Sequence, residues 1–329
     1  MDEISYARAD DHHIAYRVTA GATAGGVDVV MVAGAMFPFE MLAEDRVASR
    51  FMAGLAALGR LVVFDKRGVG LSDPMTDWSR SAQEQWAEDL CAVVEAAELE
   101  HPAVVSWDGM GVARLAVSKC ADLFGSMVLI NPFRSTKGMA DFLESHGDDG
   151  VSGRSIEEKV FPSRANDPDF WDWMARAGRS GASPASAGRI WGHMLSCRAP
   201  LTPAGMQVRA MVLRNRDSME IAGSARAVAD EIPGAIFVEV PGADVYPSER
   251  SRRQRSRSGR RWPCETWRSE QGSMSVTSTF AATTCPASRS MSRRGSWGSP
   301  VRVTRSSRTP SVRPRWARVF ASNRSVGRS

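Results

Sequence analysis

The chain has 329 residues and a formal net charge of +5 that conceals a division. Residues 1–249 carry 23 Lys and Arg against 35 Asp and Glu, whereas residues 250–329 carry 19 Arg against two Glu and contain no Leu, Ile, Lys, Asp, His or Tyr. A segment without Leu or Ile has little from which to build a core, which excludes one uniform globular domain and leaves residues 1–249 for a single large α/β domain. No apolar run approaches the ~20 residues that a membrane-spanning helix needs, so no membrane contact is expected. The polar, acidic start does not read as a signal peptide. Cys91, Cys120, Cys197, Cys264 and Cys285 are scattered, without C-x-x-C spacing. They predict reduced thiols in the cytoplasm and no metal centre. No cofactor is expected.

The first 249 residues alternate strand and helix signals. His13–Val18 reads as an early strand. Val27–Val32 is a short apolar run that stops at Gly34, as a strand buried on both faces does. Asp45–Leu58 has helical apolar spacing. Leu61–Phe64 is a second buried strand, ended by the turn Asp65-Lys66-Arg67-Gly68-Val69-Gly70. Gln83–Leu99 is an amphipathic helix with Trp86, Leu90, Val93, Val94 and Ala97 on one face. Ala103–Trp107 is a third strand, followed by a glycine turn and a helix to about Cys120. Ser126–Ile130, Gln207–Leu213 and Ala235–Val240 complete the strands, with a helix near Ile221–Ile232. This alternation predicts a mostly parallel sheet covered on both faces. Residues 134–205 break the rhythm and hold Trp171, Trp173 and Trp191. They are expected to form a helical cap over the C-terminal edge of the sheet, where open α/β sheets hold ligands.

The turn Asp65-Lys66-Arg67-Gly68-Val69-Gly70-Leu71-Ser72 matches D-x-R-G-x-G-x-S after a buried strand. In that position it resembles the α/β-hydrolase fold, and the order of the other elements agrees over about residues 5–248. The resemblance implies a doubly wound, mostly parallel sheet with a helical cap. The glycines permit the tight turn, and Arg67 can pair nearby carboxylates. More narrowly, the stretches 6–18, 61–74 and 232–244 resemble the N-terminal domain of bacterial proteins that fuse a hydrolase-like domain to a class III adenylate cyclase. That resemblance implies a cytoplasmic signalling protein with a hydrolase-like sensor and a cyclase output.

Hydrolysis on this fold requires a nucleophile on a strand-to-helix turn, then an acid, then a histidine, in that chain order. The aligned turn is Ser106-Trp107-Asp108-Gly109-Met110, which puts Asp108 at the nucleophile position and replaces the two motif glycines by Ser106 and Met110. Asp108 is either a degenerate remnant that holds the turn, which is the favoured reading, or a nucleophile that forms an ester with small ester, halide or epoxide substrates. Asp217 stands at the acid position and could equally cap the helix that follows. Val245 stands where the histidine belongs, and a valine has no proton to exchange. The five histidines are His12, His13, His101, His146 and His193, all before Asp217. Only His146 or His193, on the expected cap, could substitute. The backbone N–H groups of Ala35 and Gly109 occupy the oxyanion-hole positions.

Three readings compete for residues 250–329. Arginines interleaved with Trp262, Trp267, Trp297 and Trp316 suit non-specific nucleic-acid contact. The same composition suits a disordered low-complexity segment. The favoured reading is an out-of-frame product. Reverse translation of Val276–Met291, read from the third codon base, permits a string that resembles the closing part of a class III cyclase domain. The segment contains no Asp to hold metal ions, so no cyclase activity is expected. The expected function is a non-hydrolytic sensor or remnant, with a pocket for a small apolar ligand between Ala35, Asp108 and the cap.

Overall fold

The computed structural model describes residues 3–21, 25–34, 36–107, 111–137, 140, 155–196, 201–202, 205–218 and 224–245. An eight-stranded sheet runs through them in the order β1-β2-β4-β3-β5-β6-β7-β8. The strands are β1 (Ile4–Ala9), β2 (His12–Thr19), β3 (Val29–Val32), β4 (Leu61–Phe64), β5 (Ala103–Ser106), β6 (Ser126–Ile130), β7 (Arg209–Asn215) and β8 (Ile236–Val240). The pairings β1–β2 and β2–β4 are antiparallel, and every pairing from β4 to β8 is parallel. Residues 250–329, which hold the expected disordered, out-of-frame segment, lie outside the described residues.

The helices among the described residues are α1 (Phe39–Glu44), α2 (Arg46–Ala56), α3 (Ala82–Ala96), α4 (Val112–Lys119), α5 (Ser155–Val160), α6 (Pro168–Gly181), α7 (Pro184–Ser196) and α8 (Ser224–Glu231). Local chemistry fixes several of their starts. Asp45 accepts from the Val47 and Ala48 amides at 3.1 and 2.9 Å and so caps α2. Ser81 accepts from the Glu84 amide and donates to the Glu84 carboxylate, a capping box at the start of α3. Asp167 caps α6, where Pro168 takes the first helical position.

All residues of β3, β4, β5 and β6 are buried, as central parallel strands require. Their side chains alternate between two cores. Val30, Val32, Val62 and Val104 pack with Trp86, Leu90 and Val112 of α3 and α4. Val29, Met31, Val63 and Val105 pack with Phe39, Leu42 and Phe51 of α1 and α2. Two elements carried no expectation. In β1 only Ala7 and Ala9 are buried in the core, too weak a signal to mark a strand, and β1 is held by its ladder to β2. The short α1 is separated from α2 by Asp45 alone.

The helices between β6 and β7 join both layers. Trp173 of α6 donates to the Met41 carbonyl at 2.7 Å on the α1 side. Ile190 and Met194 of α7 enter the core on the α3 side, and Gln83 donates to the Met194 carbonyl at 3.0 Å. The Gly70 amide donates to the Gly181 carbonyl at 2.8 Å, and a Cβ on Gly68 would meet Ile190 Cδ1 at 2.7 Å. These contacts seat α6 and α7 over the C-terminal ends of β3 and β4.

Candidate functional site

The loops that leave the C-terminal ends of the strands define the candidate site. After β4, the Asp65–Ser72 turn is organised by buried charge. Arg67 Nη2 lies 2.6 Å from Asp89 Oδ1, and both side chains are almost wholly buried. The Arg67 Nε and backbone N–H also donate to Asp89. Burial pushes the Asp89 carboxyl up to about 6, against the pull of the Arg67 guanidinium. Asp65 accepts from the Phe39 amide at 2.8 Å and the Leu71 amide at 3.0 Å. Burial pushes it, too, up to about 6, while those two amides pull it down. Gly70 has a φ of +54°, and a Cβ there would stand 2.1 Å from Asp65 Oδ2. The motif expected to be structural is therefore structural, and Arg67 does pair a carboxylate.

Lys66, in the same turn, is buried. Its Nζ donates to the Ala33 carbonyl at 2.9 Å and lies 4.9 Å from the Trp86 ring centroid. It reaches from the end of β4 to the end of β3, beside the expected oxyanion loop. The sequence reading gave it no role. A lysine two residues after a buried apolar strand was the signal, because its stem there can run along the sheet edge.

After β5, Trp107 continues the line of the strand. Its amide donates to the Val32 carbonyl at 3.1 Å, and its ring stacks on Phe51 with centroids 5.7 Å apart. The indole thus packs into the α2 layer. Gly111, at the start of α4, has a φ of +84°, which marks a sharp strand-to-helix turn. Asp108, Gly109 and Ala35 lie outside the described residues, as does His146.

The ends of β6, β7 and β8 are tied together by neutral polar groups. Asn131, at φ +46°, accepts from the Asn215 amide at 2.9 Å and donates through Nδ2 to the Val245 carbonyl. Asn215 donates through its side chain to the Asp244 carbonyl at 2.7 Å. The Asp244 carboxylate is buried and accepts from the Ser163 amide and hydroxyl at 2.9 and 2.6 Å. Burial raises its pKa, and the two Ser163 bonds offset part of that rise. Val245 is 8% exposed and donates its N–H to the Val160 carbonyl at 2.8 Å. The loop after β8, where the histidine is sought, is thus fastened to the segment after α5 and presents a buried valine. Asn131 was also missed in the sequence, although an Asn-Pro pair directly after a buried strand marks a backbone turn.

Asp217 follows β7, as expected for the acid position, and is exposed. Its backbone N–H donates to the Gly242 carbonyl at 2.9 Å. The helix expected after it is described as α8. His193, on α7, has Nε2 2.5 Å from the Arg80 carbonyl and meets Trp78 edge-on at 5.4 Å. That bond makes Nε2 the protonated nitrogen and points the ring at the segment before α3. Of the four described histidines, none lies on the loops that leave β5, β7 or β8. Among the described residues no group of three or more His, Cys, Asp and Glu could hold a metal ion. No helix among them is long and apolar enough to cross a membrane. A groove of about 340 Å³ lies beside α1, lined by Arg17, Glu40, Glu44, Leu71 and Ser180 among others. Two of the residues expected to line the ligand pocket, Ala35 and Asp108, lie outside the described residues.

No protein-family model matches the sequence, and no curated protein matches it. Solved structures do match. Est816, described as an N-acyl homoserine lactone degrading enzyme, has a TM-score of 0.56 at 15% identity, over 73% of this chain and 93% of its own. E-2-(acetamidomethylene)succinate hydrolase has a TM-score of 0.55 at 20% identity, over 75% and 93%. The chain has the α/β-hydrolase fold. The enol-lactonase from Burkholderia xenovorans is similar too, with a TM-score of 0.55 at 16% identity, over 73% and 93%. In this chain the D-x-R-G-x-G-x-S turn forms a buried brace at Asp65, Arg67 and Gly70.

Proposed function

We propose that this hydrolase-fold domain binds a small apolar ligand and does not turn it over through a nucleophile–acid–histidine triad. Val245 carries the reading. It holds the place of the general base, and its backbone is engaged on both sides by Val160 and Asn131. Asp217, exposed at the acid position, has no histidine to orient on the neighbouring β8 loop. A carboxylate ester formed at Asp108 would then lack a base to activate water for its release. The resemblance of the N-terminal stretches further favours a sensor or remnant domain from a hydrolase–cyclase fusion, with residues 250–329 as an out-of-frame remnant without cyclase activity.

The left-handed Gly111 at the N-cap of α4 favours a second reading, because a nucleophile turn needs glycine where the chain enters the following helix sharply. In this alternative Asp108 attacks a small ester, halide or epoxide. One experiment separates the two. The full chain is incubated with short alkyl halides, epoxides and nitrophenyl esters, and Asp108 is mapped by mass spectrometry alongside turnover. The first reading expects no turnover, and any ester formed at Asp108 to persist unhydrolysed. Turnover that Asp108→Asn abolishes overturns it in favour of the second.

A further inference from the structure

Two thiols meet behind the candidate site. Cys91 lies on the buried face of α3, and Cys120 follows the last turn of α4, half-buried. Both converge on one carbonyl. Cys91 Sγ is 3.9 Å from the Ala116 oxygen, and the Cys120 amide donates to that oxygen at 2.8 Å. Cys120 also packs against the core cluster that contains Cys91. Helices α3 and α4 pack side by side here, with Val93, Val94, Ala113, Ala116 and Val117 in one core, so neither thiol has far to move. The cysteines were expected to be scattered reduced thiols; the fold brings these two together.

We propose that Cys91 and Cys120 form an oxidant-sensitive dithiol that closes to a disulfide between α3 and the end of α4. The two differ in access: Cys91 is buried and Cys120 is half-buried. Burial and the neighbouring Cys120 and Glu95 push the Cys91 thiol far up, so it keeps its proton. Cys120 is the group that a hydroperoxide reaches first. Its thiolate attacks the peroxide oxygen; an S–O bond forms, the O–O bond breaks, and the leaving alkoxide takes a proton as the alcohol. Cys91 sulfur then attacks the sulfenic sulfur. The S–S bond forms, the S–O bond breaks, and the hydroxide leaves as water with the Cys91 proton. Two thiols are oxidised and one hydroperoxide is reduced. The bond closes residues 91–120 into a loop that carries β5 and the strand-to-helix turn, and so tethers the segment on which the nucleophile position stands.

The test uses the full chain with Cys197, Cys264 and Cys285 replaced by Ser, treated with hydrogen peroxide and mapped without reduction. The expected product is a peptide pair joined through Cys91 and Cys120, two hydrogens lighter than the free peptides and released by dithiothreitol. Cys91→Ser should leave Cys120 as a sulfenic acid that dimedone traps, and Cys120→Ser should leave Cys91 as an unmodified thiol. If the triple variant does not fold, the same map on the unsubstituted chain reads the same linkage. Peroxide treatment that leaves both cysteines unlinked, or dimedone capture at Cys120 while Cys91 is intact, overturns the proposal.

Discussion

The two flanks of the sheet edge solve the same problem with different chemistry. At the β4 flank, buried charges hold the turn: Asp89 against Arg67, and Asp65 against the backbone amides of Phe39 and Leu71. At the β8 flank, mainly neutral amides hold it: Asn131 and Asn215 bridge the ends of three strands, and Val245 fills the place sought for the base. A buried ion pair is stable only while complete, because either partner alone is a desolvated charge. A carboxamide bridge loses less when cut. The brace of the fold is therefore the part where a substitution costs most. The loop after β8 holds Val245 buried, with its N–H on the Val160 carbonyl and its own carbonyl on Asn131.

That contrast can be broken at graded cost. Arg67→Met should be the largest effect, about 3–5 kcal/mol of unfolding free energy, because it strands Asp89 in the core. Urea denaturation checks it, and a loss below ~1 kcal/mol would mean that Asp89 has found another partner or a proton. Next comes the pH response of Asp65. Its folded pKa, about 6, is above the ordinary carboxylate value of 3.8, so the folded state binds the proton more tightly. Its contribution to stability is full below about pH 4, falls as pH rises through about 6, and is flat beyond. The change is on the order of 3 kcal/mol, and Asp89 adds in the same direction. Asp65→Asn should weaken the fold and also flatten part of that slope; a slope unchanged by the substitution would exclude Asp65 as its source.

The neutral flank should respond more weakly. Asn131→Ala removes the bonds to the Asn215 amide and the Val245 carbonyl, for about 1–2 kcal/mol. Hydrogen exchange should quicken at the Asn215 amide while amides of β4 keep their protection. Loss of protection across both flanks would show that the two are one cooperative unit. Asp217→Ala should be the smallest effect, within about 0.5 kcal/mol, because the carboxylate is exposed and its backbone bond to Gly242 is retained. A larger loss would assign Asp217 a structural partner. Loss of a measured hydrolytic activity would assign it the acid role.

Much of this architecture was legible before any coordinates. Leu61–Phe64 and Ser126–Ile130 are strands over the same residues that their apolar runs marked. Other runs shifted by one to three residues at their ends, as with α3 at Ala82–Ala96. The β1 strand was not legible, since its inward residues are alanines and its partner is chosen by a turn. Nor were the buried polar residues of α3. Gln83, Gln85 and Asp89 lie outside the apolar face marked for this helix, yet each is fully buried against a group from elsewhere in the chain.

The sequence by itself determined the sheet, because runs such as Val29–Val32 are too apolar to stand anywhere except between two layers. It also determined which titratable residue types are available after β5, β7 and β8, since chain order fixes what each loop can carry. Only the tertiary structure decided the partners. That Arg67 meets Asp89, that Lys66 crosses to the Ala33 carbonyl, that Asn131 bridges to Val245 and that Cys91 and Cys120 share the Ala116 carbonyl depend on distances across strands and helices. Local patterning reports how much of a residue is buried, whereas hydrogen bonds and ion pairs are set by the few ångströms between elements that packing alone fixes.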